Sequence, residues 1–212
     1  MPGIASDSPS LLSASSQKFV NNATELVELL QPETYQESLL LSIPVFQQGL
    51  LWGQPRFGHP EGQICLHIRE VLNNINKINC LTEADRNKLR IIALAHDTFK
   101  FAEDKNKPRD WSKHHGRLAR QFMENHTQDN TILDIIEIHD DAFYAWLSSR
   151  QQEPPREKKW QTLEQIQKKM GSNLQLYYLF FKCDTLTGDK TRAPLLWFEK
   201  QLSQIEIVEF DS

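Results

Sequence analysis

The sequence predicts an all-α fold, arranged as a single compact multi-helix domain. Glycine is scarce, with eight among 212 residues. Strict apolar–polar alternation, the mark of a half-buried strand, is nearly absent. Apolar residues instead recur every three or four positions, which is the period of one helix face.

The first 17 residues, MPGIASDSPSLLSASSQ, are Ser-rich and predict a disordered tail ahead of a helical domain over 18–212. They have no basic start and no sustained apolar run, so they do not read as a secretory signal. From Lys18 to Leu30, the residues Phe19, Ala23, Leu26, Val27 and Leu30 mark one helix face, stopped by Pro32. A second helix runs from about Glu33 to Ser42, ending before Pro44. WGQPRFGHPEGQ is a loop, rich in Gly and Pro. The next helix carries Ile64, Ile68, Val71, Ile75 and Ile78 on one stripe. Thr82 is placed as an N-cap, with Asp85 in the first turn, for a helix reaching about His96. EDKNKPRDWS is a second loop, followed by helices over Lys113–Asn125 and Asn130–Leu147. RQQEPPREKK is a charged, Pro-broken connection. Trp160–Met170, Asn173–Leu186 and Pro194–Ile205 complete the helices, and Gly171 interrupts the first two of these.

Apolar residues make up 39% and charged residues 25%, as in a globular protein. A net charge of −4 argues against a general nucleic-acid or membrane-surface binder, which needs a basic excess. It does not oppose a small anionic substrate held by a metal. No apolar run is long enough to span a bilayer. Cys65, Cys80 and Cys183 have no zinc-type pair spacing and cannot all pair internally, which fits a reducing cytoplasm.

Several polar residues fall on apolar stripes. His67 lies three after Ile64, and His96 four after Ile92. His115 precedes Leu118 by three, His139 follows Ile135 by four, and Asp184 follows Phe180 by four. A single histidine on an apolar face is ordinarily a hydrogen-bonded core residue. Five helices each placing a His or Asp inward are harder to account for that way. Each buried, unsatisfied polar group costs ~1–3 kcal/mol, and an unneutralised carboxylate costs more. Convergence on a metal ion accepts all of them, Asp97 included. The mixed ligation suits Mn, Fe, Zn, Co or Ni better than Ca.

The ordered set His67, His96–Asp97 and Asp184 resembles the H…HD…D signature of the HD-domain metal-dependent phosphohydrolases. HPEGQICLH, residues 59–67, is similar to the His-Pro-Glu-Gly approach to the first ligand histidine in several HD domains, including those of bacterial tRNA nucleotidyltransferases. The resemblance covers about residues 58–187. His115, in HGRLARQF, resembles the histidine that opens the helix after the HD helix in two-metal members such as the HD-GYP phosphodiesterases. His139 resembles the first of a histidine pair in those members, and Asp140 stands where the second would be. The Gly-Tyr-Pro segment is missing, which argues against cyclic-di-GMP. The Glu-Asp pair of members acting on stringent-response nucleotides is also missing. Lys100 matches the lysine of the HD-x-x-K form.

The resemblance implies a first divalent ion on His67, His96, Asp97 and Asp184. It implies a second on His115 and His139, with Asp97 bridging. The ion or ions would be Mn, Fe, Mg, Zn, Co or Ni, with a metal-activated hydroxide as nucleophile. Lys100 is expected either to contact phosphoryl oxygens or to be a surface lysine past a helix end. Asp140 is expected to be a proton acceptor or supporting partner, or a solvated outer acid. The implied function is a metal-dependent phosphohydrolase, a phosphomonoesterase or phosphodiesterase, acting on a nucleotide or other small phosphate ester. The alternative is a non-catalytic HD module that binds metal or nucleotide. An RNA-processing accessory rests only on the HPEG likeness. The sequence does not fix the oligomeric state.

Other residues read more plainly. His114 is expected to be exposed. His59 lines a pocket mouth or orders its loop. Tyr177, Tyr178, Phe180 and Phe181 belong to the core, and Trp111, Phe143, Tyr144 and Trp146 pack nearby. Arg156, Lys158, Lys159, Lys168 and Lys169 form a solvated basic face.

Overall fold

A computed structural model describes residues 19–104, 110–150 and 162–210. The Ser-rich stretch 1–17, most of the Pro-broken connection, and Arg156, Lys158, Lys159 and Trp160 lie outside the described residues. Among the described residues the structure is all-helical, and the one β-type pairing is an isolated bridge between Arg56 and His59. None of these helices is long and apolar enough to cross a membrane.

The helices are α1 (Ala23–Leu30), α2 (Tyr35–Ser42), α3 (Pro44–Leu51), α4 (Ile64–Ile75), α5 (Glu83–Ala95) and α6 (His115–Met123), followed by α7 (Asn130–Ile138), α8 (Asp141–Ser149), α9 (Leu163–Met170), α10 (Leu174–Thr185) and α11 (Ala193–Gln201). Short 3-10 turns cover Lys100–Ala102, Trp111–Lys113 and Gly171–Asn173. Side-chain caps set many of the starts. Asn22, Thr34, Thr82 and Asp129 each accept a backbone N–H from the first turn of α1, α2, α5 and α7. Thr162 and Gln165 close a reciprocal capping box on α9.

Several boundaries differ from the sequence reading. Helix α6 starts at His115 rather than Lys113, and α9 at Leu163. Helix α11 ends at Gln201 rather than Ile205, where the helical pattern runs on past a bend in the chain. The first helix begins at Ala23 rather than Lys18, because Asn22 caps it; Phe19 and Val27 are exposed. Pro44 does more than end a helix, since it starts α3 at the position where a missing N–H costs nothing. The single helix expected over Asn130–Leu147 is two, α7 and α8, broken at His139 and Asp140. Tyr177 of α10 holds that break. Its hydroxyl donates to Ile138 O and accepts from Ala142 N, both at 3.1 Å, so groups at the junction of the two helices find a buried partner.

The core sits where α4, α5, α7 and α10 meet. Helix α4 packs on α5 and α10, and α5 packs on α7 and α10. Leu26, Leu40, Phe46, Ile68, Val71, Ile92, Ile135 and Phe180 are fully buried there and in the layer that α1–α3 add. Tyr177, Tyr178, Phe180 and Phe181 are buried, as expected. Helix α6 lies close on α7 at Gly116, where a Cβ would come within 2.7 Å of Glu137 O.

Arg90 was not anticipated as a core residue. It lies on the buried side of α5 and grips Glu37 of α2 through two bonds of 2.9 and 2.7 Å, and Gln31 O at the end of α1 at 3.0 Å. Arg90 and Glu37 are both shielded from water. Arg90→Ala leaves that carboxylate buried without its partner, so a loss of ~3–5 kcal/mol is expected in urea unfolding. The double change Arg90→Met/Glu37→Leu should recover most of it. A single variant as stable as the parent would rule out the pair as a structural clamp.

Candidate metal centre

Five chain segments supply the inward polar residues. His67 lies in the middle of α4, and His96 and Asp97 follow directly after α5. His115 is the first residue of α6, His139 the first after α7, and Asp184 lies near the end of α10. The four helices that carry His67, His96–Asp97, His139 and Asp184 are those that pack on one another at the core. Asn74 of α4 fixes the last of these ends, donating to Cys183 O and Leu186 O, both at 2.9 Å.

The donors form two groups. In the first, His67 Nε2 lies 2.9 Å from Asp184 Oδ1, and His96 Nε2 3.7 Å from the same oxygen. Asp97 Oδ2 stands 3.4 Å from His96 Nε2 and 3.7 Å from His67 Nε2. In the second, His115 Nε2 and His139 Nε2 are 3.1 Å apart. Asp97 Oδ1 faces them at 3.3 and 3.4 Å. Asp140 Oδ2 faces them from another side at 3.3 and 3.6 Å. One carboxylate, Asp97, thus turns one oxygen to each group.

These separations suit cations. Donors about 2.0–2.2 Å from a shared ion stand roughly 3.0–3.5 Å apart. His67 Nε2, His96 Nε2 and Asp97 Oδ1 are buried and have no hydrogen-bond partner. A buried group left in that state costs ~1–3 kcal/mol, which a cation removes. The groups are therefore arranged to chelate one or two divalent ions.

The far sides of the His96, His115 and His139 rings are also held, while His67 Nδ1 only approaches a carboxylate. His96 Nδ1 donates to Ala93 O and His139 Nδ1 to Ile136 O, both at 2.9 Å. This fixes the tautomer and leaves each Nε2 lone pair facing inward. His67 Nδ1 faces Glu61 Oε1 at 3.4 Å, and His115 Nδ1 faces Glu103 Oε2 at 3.3 Å. Glu61 is the glutamate of the HPEG segment and also bonds His59 Nδ1 at 3.0 Å. Neither glutamate was assigned a role from the sequence, though Glu61 lies inside the motif.

Charge in the site is tightly coupled. Burial opposes ionisation of Asp97 and Asp184, yet Lys100 and His96 hold the first, and Lys190 and His67 the second, well below the usual carboxylate range. Burial also opposes the charge on His96, but Asp97 and Asp184 raise it to about 9. Against the same burial, Asp140 and Asp97 raise His115 to about 10. Burial dominates at His67, pushed down to about 4.

A metal needs neutral imidazoles, so ions entering chelated protein near neutral pH displace protons from His96 and His115. Release of about one proton per bound ion, two when both positions fill, is expected, with affinity falling as pH falls. Titration calorimetry in buffers of different ionisation enthalpy measures it; heats independent of buffer would contradict it.

Lys100 is not a surface lysine. Its Nζ sits 2.5 Å from Asp97 Oδ2, and its side chain is largely shielded. Asp140 is half-buried and turned toward His115 and His139 rather than outward. His114, expected to be exposed, is buried. The expectation placed it inside a helix, but its backbone is extended and it caps α6, with Nδ1 accepting from Gly116 N at 3.2 Å. Lys190, unmentioned by any motif, binds Asp184 Oδ1 at 3.0 Å.

Above the donor groups opens a cavity of about 620 Å³. Asp97, His139, Asp140 and Asp184 form part of its lining, with Lys100, Lys190 and Arg56 as its cations and Phe143 and Phe181 among its apolar walls. Lys169, in the expected basic face, pairs with Asp134 and Glu137.

Residues 65–169 match the protein family described as the HD domain. No curated protein and no solved structure gives a significant match.

Proposed function

Residues 65–169 are an HD-family domain carrying clustered, metal-chelating His and Asp residues, and from that premise we propose a two-metal phosphohydrolase acting on a nucleotide or other small phosphate ester. The observation that carries the reading is Asp97, whose two carboxylate oxygens face two separate donor groups. In this reading His67, His96, Asp97 and Asp184 hold one ion. His115, His139, Asp97 and Asp140 hold the other, so Asp140 is a ligand.

Bound metals supply a hydroxide at neutral pH and neutralise phosphoryl oxygens. The chain's own residues do the rest. Lys100 and Lys190 flank the ligand carboxylates at the cavity wall, where an ammonium meets charge building on the phosphoryl group. The buried rings of His96, His115 and His139, fixed from behind, hold their donors without reorganisation as the reaction proceeds. The cavity is within the size range of small-molecule sites, ~300–1,000 Å³. Cys65, Cys80 and Cys183 are free thiols, which supports a reducing compartment such as the cytoplasm.

The test is elemental analysis of freshly purified protein, then a panel of phosphate esters with Mn, Fe, Co, Ni, Zn or Mg. Metal-dependent hydrolysis abolished by chelation is expected. Nucleotide binding without hydrolysis under every metal would make the domain a regulatory module instead.

A further inference from the structure

A second cavity, of about 440 Å³, adjoins the first. The two share Arg56, His59 and Lys100 as lining. None of the metal-facing donors lines the second cavity. Its lining comes nearest the site at Lys100, whose Nζ is 2.5 Å from Asp97 Oδ2. The two cavities therefore border each other at Arg56, His59 and Lys100, beside the carboxylate that both donor groups share. The walls on both sides are largely apolar: Phe143 and Phe181 in the first, Trp52, Pro55 and Ile64 in the second.

The second cavity is walled by a loop that fastens itself. Ile64 N bonds Trp52 O at 2.9 Å, closing its ends. Arg56 and His59 exchange backbone bonds of 3.0 and 2.9 Å. Gly53 and Gly62 press together so closely that a Cβ on Gly53 would fall 2.3 Å from Gly62 O, and both have positive φ. Gln63 anchors the loop to Leu51 O at 3.0 Å and Val20 O at 2.9 Å. This wall does not depend on a ligand for its shape. Arg56, at the shared boundary, has no ion-pair partner among the described residues, unlike Lys100 and Lys190.

We propose that the substrate is a phosphodiester whose two organic arms occupy these two cavities, with Arg56 contacting the anionic phosphate between them. This rests on the phosphohydrolase reading and narrows it. A monoester has one arm and leaves the second cavity to solvent. In the reaction, a water oxygen bonds to phosphorus and the ester bond to one arm breaks. One proton of the water ends on the departing alcohol, and the other leaves with the monoester product or to solvent.

The test compares the thymidine dinucleotide TpT with thymidine 5′-monophosphate on Mn-loaded, full-length protein. For TpT, kcat/KM should be about tenfold or more above that of the monoester. Gln54 lines only the second cavity. Gln54→Trp should raise KM for TpT about tenfold and lower the diester-to-monoester ratio accordingly. The same change should weaken TpT binding to chelated protein in calorimetry, and a melting curve confirms that the variant folds. Arg56→Ala, at an exposed position, should also raise KM for TpT. Preference for the monoester, or equal effects of Gln54→Trp on both substrates, overturns the diester proposal and leaves the phosphohydrolase reading standing. Hydrolysis of neither, nor of any ester with any metal, overturns both.

Discussion

Asp97→Ala is expected to abolish metal binding at both positions and to lower kcat/KM by about 10³-fold or more, some ~4 kcal/mol of transition-state stabilisation. Among the described residues no other has oxygens facing both donor groups, so no neighbour replaces it. The helices should survive. The change removes a buried negative charge and leaves imidazoles that become neutral by losing a proton. Lys100 loses its nearest partner but still lines the cavity, where water can take that partner's place. Circular dichroism near the parent spectrum, with elemental analysis showing no bound metal, is the expected pair of results. Asp97→Asn, which keeps the shape, should behave in the same way. Parent-level metal content in either variant would remove Asp97 from the centre of the site.

His115→Ala/His139→Ala should halve the metal content of protein reconstituted with excess Mn, from two ions to one. A fall in rate of about 10²- to 10³-fold should accompany it, the worth of several kcal/mol of charge stabilisation. The two Nε2 atoms are 3.1 Å apart, so the double change deletes half of one donor set and leaves His67, His96 and Asp184 intact. Unchanged metal content and rate would mean a mononuclear site with two structural histidines.

Much of this arrangement is legible in the sequence because several of the candidate donors obey the period of their own helices. His67 and Asp184 fall on the stripe of α4 and α10, and His96 continues the stripe of α5 by one residue. Local order is enough to place such residues inward. It is not enough where the deciding contact is distant. The apolar pattern runs on through Asn130–Leu147, and nothing local announces the break at His139–Asp140. The break is held by Tyr177, 35 residues beyond Ala142. Because the helix stops there, consecutive residues present both side chains to His115; in a continued helix they would diverge by about 100°. His114 is buried for a related reason, since its place just before α6, which the local pattern does not mark, decides its direction. Arg90 escaped notice because its partner, Glu37, lies 53 residues away. Lys190 sits in a loop with no periodicity at all.

The order in which the chain is made gives the placement of α10 another meaning. Domains form from the N-terminal side as synthesis proceeds, and every ligand except Asp184 precedes residue 141. Until α10 emerges, α4 and α5 have no cover for the faces that Tyr177 and Phe180 later fill, and the end of α7 has no hydroxyl to secure it. A nascent chain stopping short of Leu174 would display a sticky apolar surface beside an incomplete set of donors. Helix α10 covers the inner faces of α4 and α5 and delivers the last donor in one step, so the donor set is completed only as those faces are buried.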